Sequence, residues 1–235
     1  MHVSLAWKPP HANLVMGLVY LAGGAGLAVA SWRIGGAGWL LLWPAGSLLI
    51  VAIAYATGST RPFHNQDGDM AWSSRLLLYP YLAAVWANSR WWTRAEPAAQ
   101  EIAGGVWLGR VPARHERERL RIASVVDLAP ELPIDADGIA FRSVPILDLM
   151  VPEDGDLEDA VNAIEGFKTA RPTLVCCALG YSRSAMATAA WLVASRTAPS
   201  VDSAIALLRA RRRRVVLSTA HRARLEEWAL ARSKR

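Results

Sequence analysis

The sequence predicts an α/β domain with a mostly parallel central sheet flanked by helices, preceded by an N-terminal transmembrane helical hairpin. Three observations carry this. Two long apolar runs without charge fill the first sixty residues. From about Glu96 onward, short apolar strands alternate with amphipathic helices, the pattern of a parallel sheet covered on both faces. Within that part, an apolar strand ends at Cys177 and passes through a short glycine-containing loop into a helix of small residues. Ligands of such sheets bind beyond the carboxyl ends of strands, and Cys177 sits at one.

The first run, Ala12 to Trp32, lies in an uncharged interval between Lys8 and Arg33. The second, Trp39 to Tyr55, lies between Arg33 and Arg61. Each meets the roughly 20-residue length needed to cross a bilayer. Trp32, Trp39, Trp43 and Tyr55 stand near the ends, where aromatic rings favour the membrane interface. Gly23, Gly24, Gly26, Gly35, Gly36 and Gly38 suit close helix contact and a tight link. A signal peptide is the rival reading of the first run, and two buried helices of a soluble domain the rival for both. Residues 1–60 are thus expected to form two transmembrane helices, and 61–95 an interfacial linker. In that linker, Leu76 to Ala87 is apolar but short, carries Pro80 and is bracketed by Arg75 and Arg90. It reads as lying on the membrane rather than crossing it, with a third span as the alternative. Lys8, Arg61, Arg75, Arg90 and Arg94 outnumber Arg33 in the link, which places both termini on the cytoplasmic side.

The chain carries a net charge of +6. A basic balance suits nucleic acid, anionic lipid or a phosphorylated substrate. Zinc-finger spacing and the aromatic-basic pattern of nucleic-acid binders are both missing, so no nucleic-acid partner is expected. The two cysteines are adjacent and cannot build a disulfide framework; a reduced, cytosolic thiol fits. His64, His115 and His221 are isolated, and each is expected to be a surface or packing residue. No metal or cofactor is expected.

The catalytic part, 96–235, reads as follows. Gly105 to Arg110 forms a first strand, Pro112 to Arg121 a charged helix, Ala123 to Leu128 and Phe141 to Leu147 two further strands. Asp156 to Ala170 forms an amphipathic helix, with Asp156 as N-cap and Leu157, Val161, Ile164 and Phe167 at helical spacing. Thr173 to Cys177 is a buried central strand. Ser184 to Ser195, Ser200 to Arg211 and Ser218 to Arg232 close the domain. Arg209 and Arg211 to Arg214 form the densest charge run, suited to anionic lipid or to a solvated helix end.

Cys177 and Arg183 stand six positions apart with Gly180 between them and Ser184 directly after. A loop opening a helix gathers unpaired N–H groups that hold a tetrahedral oxyanion. Such a site also favours a thiolate, and an arginine there grips two phosphate oxygens. The combination points to phosphoryl transfer onto cysteine. Cys177-Ala-Leu-Gly180-Tyr-Ser-Arg183-Ser184 resembles the Cys-x5-Arg loop of the dual-specificity phosphatases, within the protein-tyrosine-phosphatase superfamily. Val106 to Arg110, Val125 to Leu128, Pro145 to Asp148 with Pro152, and Ala204 to Arg214 resemble other segments of that family. The chain also resembles a membrane-anchored bacterial type of that family, similar to phosphatidylglycerophosphate phosphatase.

The resemblance implies a phosphoric monoester hydrolase in a multi-pass protein of a bacterial inner membrane. In it, Cys177 is the nucleophile and forms a phosphocysteine. Backbone N–H groups of Ala178, Leu179, Gly180, Tyr181, Ser182 and Arg183 bind the phosphate, together with the Arg183 side chain. The general acid is expected to be Asp148, with Asp154 and Asp156 as competitors, and Ser184 donates to the departing sulfur. The implied substrate is a phosphomonoester on lipid or protein. The family usually places histidine where Cys176 stands. Cys176 is expected to be a small buried side chain, with a vicinal disulfide to Cys177 as the alternative. Ala178 and Leu179 are neutral, which favours a singly phosphorylated ester.

Overall fold

The computed structural model describes residues 11–63, 65–66 and 69–234. Lys8 and His64, used above, lie outside the described residues. Helix α1 (His11–Ile34) turns through a 3₁₀ segment, Gly36–Leu41, into α2 (Leu42–Thr57). The two pack along their length because glycine lets the backbones touch. A Cβ on Gly24 would stand 3.0 Å from the Ala45 carbonyl oxygen, and one on Gly17 3.3 Å from that of Ala52. Helix α1, over Leu14–Ile34, and the 3₁₀ segment with α2, over Gly36–Thr57, are each long and apolar enough to cross a membrane, and only 17% and 33% of their apolar windows are buried within the protein. Leu18, Val19, Trp32, Leu40 and Ile53 are exposed. Core helices of a soluble domain bury most of their apolar side chains, and these leave most exposed within the protein.

Helix α3 (Trp72–Thr93) is one continuous element of 22 residues, longer than its apolar centre suggests. It continues through Pro80. Proline has no N–H for the carbonyl four residues back; that carbonyl, on Leu76, instead accepts from the Trp43 indole at 3.0 Å. One face of α3 places Leu78, Tyr81 and Leu82 in an apolar cluster with Val51, Ala54, Tyr55, Phe63 and Met70. Trp72, Leu76, Tyr79, Trp86 and Trp91 remain exposed.

The remainder is the α/β unit. Its elements are β1 (Ala99–Ala103), β2 (Val106–Arg110), α4 (Arg114–Arg119), β3 (Ser124–Asp127), β4 (Ala140–Ser143), α5 (Asp154–Gly166), β5 (Thr173–Cys177), α6 (Arg183–Ala194), α7 (Val201–Arg211) and α8 (Thr219–Ser233). The sheet order is β1-β2-β5-β3-β4, parallel except for the β1–β2 pair. Strand β5 is central, and all five of its residues are buried. Register fixes the site: Arg110 on β2 stands beside Cys177, and Asp127 on β3 beside Cys176.

Four expectations are corrected. The strand at Val106 is the second, not the first; β1 escaped notice because Ala-Gln-Glu-Ile-Ala carries polar residues on a sheet edge. The strand expected over 141–147 ends at Ser143, since the carbonyl of Ile146 is taken by Arg183 rather than by a neighbouring strand. The helix expected from Asp156 starts at Asp154 and ends at Gly166. Its N-cap is Glu153, and Asp156 occupies the third helical position, where its carboxylate accepts from the Glu153 N–H at 2.8 Å. Helices α7 and α8 are capped by Ser200 and Ser218, whose hydroxyls accept from Ser203 N and His221 N.

Candidate active site

The loop after β5 folds tightly because two glycines face each other. Gly180 has φ +72°, and a Cβ there would lie 2.4 Å from the backbone of Gly109. A Cβ on Gly109 would lie 2.3 Å from the Ala98 carbonyl oxygen. A larger residue at 180 would push the loop away from β2, and one at 109 would push β1 away from β2. In this conformation the N–H of Gly180 points at the Cys177 Sγ at 3.3 Å, and the Ser184 hydroxyl donates to it at 3.2 Å.

Arg183 begins α6 and is 1% exposed. Its guanidinium pairs with both oxygens of Glu131, at 2.6 and 3.1 Å, and donates to the carbonyls of Ile146 at 2.7 Å and Leu128 at 3.3 Å. A second carboxylate, Asp148, lies 3.1 Å from the same guanidinium. These partners hold the planar guanidinium in one orientation and occupy both terminal nitrogens, while its buried Nε is left without a hydrogen-bond partner.

The loop's carbonyls are held from outside the sheet. Arg212 is fully buried and donates to Gly180 O at 3.0 Å and Leu179 O at 3.4 Å. It also packs over the Tyr181 ring, 5.7 Å from the centroid. The charge run near the chain end is therefore mixed, with Arg212 a buried brace of the loop while Arg211 and Arg213 remain exposed. From α3, Ser89 donates to Ala178 O at 2.5 Å, and Tyr181 donates to Trp92 O at 3.2 Å. His221 touches Ser182 at 3.1 Å. Its Nδ1 accepts from Ser218 N, so the neutral ring donates from Nε2 to the Ser182 hydroxyl. Burial holds the His221 pKa below its ordinary value, which suits that neutral form.

Beneath the loop, Cys176 is fully buried, with its Sγ 3.7 Å from Asp127 Oδ1. Both cysteines are free thiols. Burial pushes the Cys176 thiol well above its usual range, and the neighbouring Asp127 carboxyl adds to this. Asp127 itself is buried, accepts from Ala129 N at 2.9 Å, and is pushed up to about 8 by desolvation. The folded chain thus keeps a proton on Asp127 that the unfolded chain releases near pH 4. This stabilisation is complete below about pH 4 and is lost as pH rises through about 8. Asp127→Asn keeps the shape of the neutral acid. It is expected to flatten the fall in melting temperature between about pH 4 and about pH 8, with the variant melting several degrees higher at the alkaline end.

The structure brings Cys177, Arg183, Ser184 and Asp148 together with Ala178, Leu179, Gly180, Tyr181 and Ser182. The two other acid candidates lie on α5. Asp154 faces Arg224 of α8 at 3.5 Å, and Asp156 caps its own helix. Glu131, Arg212, Ser89 and His221 were not anticipated as partners of the loop. The regular spacing of apolar residues gives no sign of them, and only the loop's need for bound carbonyls and a held guanidinium hints at such groups. Among the described residues no cluster of His, Cys, Asp and Glu is placed to hold a metal ion.

Residues 106–230, just over half of the chain, match the family model of the dual specificity phosphatase catalytic domain. The chain belongs to this family. It is accordingly a phosphoric monoester hydrolase of the dual-specificity type. Among solved structures, Tk-PTP in its active form is 29% identical with a TM-score of 0.51, and the match covers 58% of this phosphatase and 98% of Tk-PTP. Human DUSP28 is 23% identical with a TM-score of 0.53, covering 59% and 97%. PTPMT1, solved in complex with PI(5)P, is 19% identical with a TM-score of 0.53, covering 58% and 97%. The latter two likenesses are of fold. Among curated proteins, none matches the phosphatase.

Proposed function

We propose that this phosphatase is a membrane-anchored enzyme that removes a single phosphate from a lipid headgroup through a phosphocysteine intermediate. The Cys177 thiolate attacks phosphorus, forming the S–P bond as the P–O bond to the leaving alcohol breaks. Backbone N–H groups of residues 178–183 and the Arg183 guanidinium stabilise the charge on the non-bridging oxygens. The incoming phosphate takes the place of Asp148 on Arg183, and the released carboxyl, in its protonated form, gives its proton to the leaving oxygen. Water then cleaves the S–P bond, and Ser184, 3.2 Å from the sulfur, stabilises the released thiolate.

The observation that carries the lipid reading is the cavity beside the phosphate loop, which Asp148, Ala178 and Leu179 line and Cys177 and Arg183 do not. It measures about 420 Å³ and has Asp148, Glu131, Ala178 and Leu179 on one side. Its opposite wall is Tyr20 of α1, Pro44 and Leu48 of α2, and Tyr81 and Val85 of α3. An alcohol leaving the phosphate loop therefore meets apolar surface belonging to helices built to lie in a bilayer. Tethering in the same membrane raises the effective concentration of a lipid substrate. Neutral Ala178 and Leu179 suit one phosphate rather than several. The two apolar helices and the reduced thiol support a catalytic domain on the cytoplasmic side of a bacterial inner membrane.

The test is a comparison in detergent micelles or nanodiscs. A phosphomonoester lipid such as phosphatidylglycerophosphate is expected to be hydrolysed with kcat/KM at least about a hundredfold above phosphotyrosine, phosphoserine or phosphothreonine peptides, a difference of ~2.7 kcal/mol. A preference for peptides would replace the lipid reading with that of a protein phosphatase acting at the membrane.

A further inference from the structure

The segment that carries Asp148 is gripped by the N-terminal helices. Leu147 is 5% exposed and belongs to the apolar cluster of Val51, Ala54 and Tyr55 on α2 and Leu78 on α3. Its neighbour Ile146 points the other way, into the core of the α/β unit. Met150 packs against both clusters. Between these anchors the chain makes a tight turn, with Met150 N donating to Leu147 O at 3.4 Å. Leu149, at the tip, has φ +61° and is 63% exposed. A non-glycine residue in the left-handed region is strained. Such a conformation persists only where its surroundings impose it. Here they are Leu147 and Met150 in the apolar clusters and Asp148 on Arg183.

From this we propose that the N-terminal hairpin is a working part of the active site: packing of Leu147 and Met150 against α2 and α3 holds the general-acid turn in place. Leu147 is a positioning residue. It touches no substrate, and acts by fixing where the Asp148 carboxyl meets the leaving oxygen. The inference rests on Asp148 being the general acid, and it holds whether the substrate is lipid or protein. One consequence is that the catalytic unit works fully only while the hairpin is folded beside it. Insertion of the hairpin into a membrane and competence in proton transfer are then set by the same contacts.

General acids matter most for basic leaving groups. The test therefore compares phenyl phosphate, whose phenoxide needs a proton, with dinitrophenyl phosphate, whose phenoxide does not. It uses the full chain in detergent, with circular dichroism and melting temperature measured alongside. Leu147→Ala is expected to lower kcat on phenyl phosphate about tenfold or more, a part of the 10²–10⁴-fold that general-acid catalysis contributes. Val51→Ala, on the hairpin side of the cluster, is expected to lower it in the same direction while changing dinitrophenyl phosphate hydrolysis less than about twofold. Leu147→Met, which conserves volume, is expected to restore most of the rate. Equal losses on the two esters in folded Leu147→Ala and Val51→Ala protein, or no loss on either, would overturn the proposal. Asp148→Asn is run beside them as a control. If it loses equally on both esters, it is the assignment of the acid that fails, and the clamp with it.

Discussion

Cys177→Ser is expected to reduce turnover of every phosphomonoester by roughly 10⁴-fold or more, the scale seen when an enzyme nucleophile is removed. The reason is chemical rather than structural. Gly180 N and the Ser184 hydroxyl, at 3.3 and 3.2 Å from the sulfur, find an oxygen acceptor in the variant. A serine hydroxyl, however, stays protonated where a thiol ionises, and no general base adjoins it. The phosphate cradle is left intact, so the variant is expected to retain binding of tungstate or vanadate within a few-fold of the parent. Steady-state assay and isothermal titration check the two halves. Residual hydrolysis above about one per cent would mean that water or another side chain attacks phosphorus directly.

Glu131→Ala is expected to be nearly as damaging, for a different reason. Arg183 is 1% exposed, and Glu131 supplies two of its short contacts. Removing one partner of a buried ion pair leaves an uncompensated charge, at a cost of about 3–5 kcal/mol. Asp148 alone then balances the guanidinium, so the proposed acid is drawn toward Arg183. Both stability and catalysis are expected to fall, the latter by about a hundredfold or more. Glu131→Gln keeps the shape and one acceptor but not the charge, and is expected to fall between the two. Thermal melting together with kcat/KM on an aryl phosphate separates the effects. A folded Glu131→Ala enzyme with full activity would show that Arg183 needs no carboxylate to hold its fork.

The phosphate loop was legible in the sequence because its chemistry is local. Nucleophile, glycine, arginine and serine fall within eight consecutive residues, and the strand before them is a simple apolar run. Asp148 was legible from the segment it resembles. Its position beside Arg183 was not, because the strand expected to carry it stops at Ser143 and the turn that replaces it is fixed by Leu147 packing on another part of the chain. Glu131 is a lone carboxylate in a proline-containing stretch without a motif, and burial with Arg183 follows only from how β3 and β5 lie side by side. Arg212 was hidden among arginines of the same appearance. The apolar hairpin was plain from its length and lack of charge. That it forms a wall of the cavity beside the phosphate loop depends on the long α3, whose reach was masked by Pro80 and its flanking arginines.

Cys176 shows where the resemblance and the residue part. The family keeps histidine at this position. Here a small thiol meets a buried Asp127 that keeps its proton at neutral pH, and the loop above is braced by Arg212, Ser89 and His221. Order in the loop is thus supplied from several elements around it rather than by the residue before the nucleophile.

The measurement that tests the central claim most directly is chemical trapping of the intermediate. Ser184→Ala, which removes the donor to the departing sulfur, is expected to slow cleavage of the S–P bond more than its formation. Rapid acid quench during turnover, followed by peptide mass spectrometry, is then expected to find one phosphate on Cys177 and none on Cys176 or Ser182. Phosphate on another residue, or steady turnover with no phosphorylated enzyme at any time point, would contradict the account.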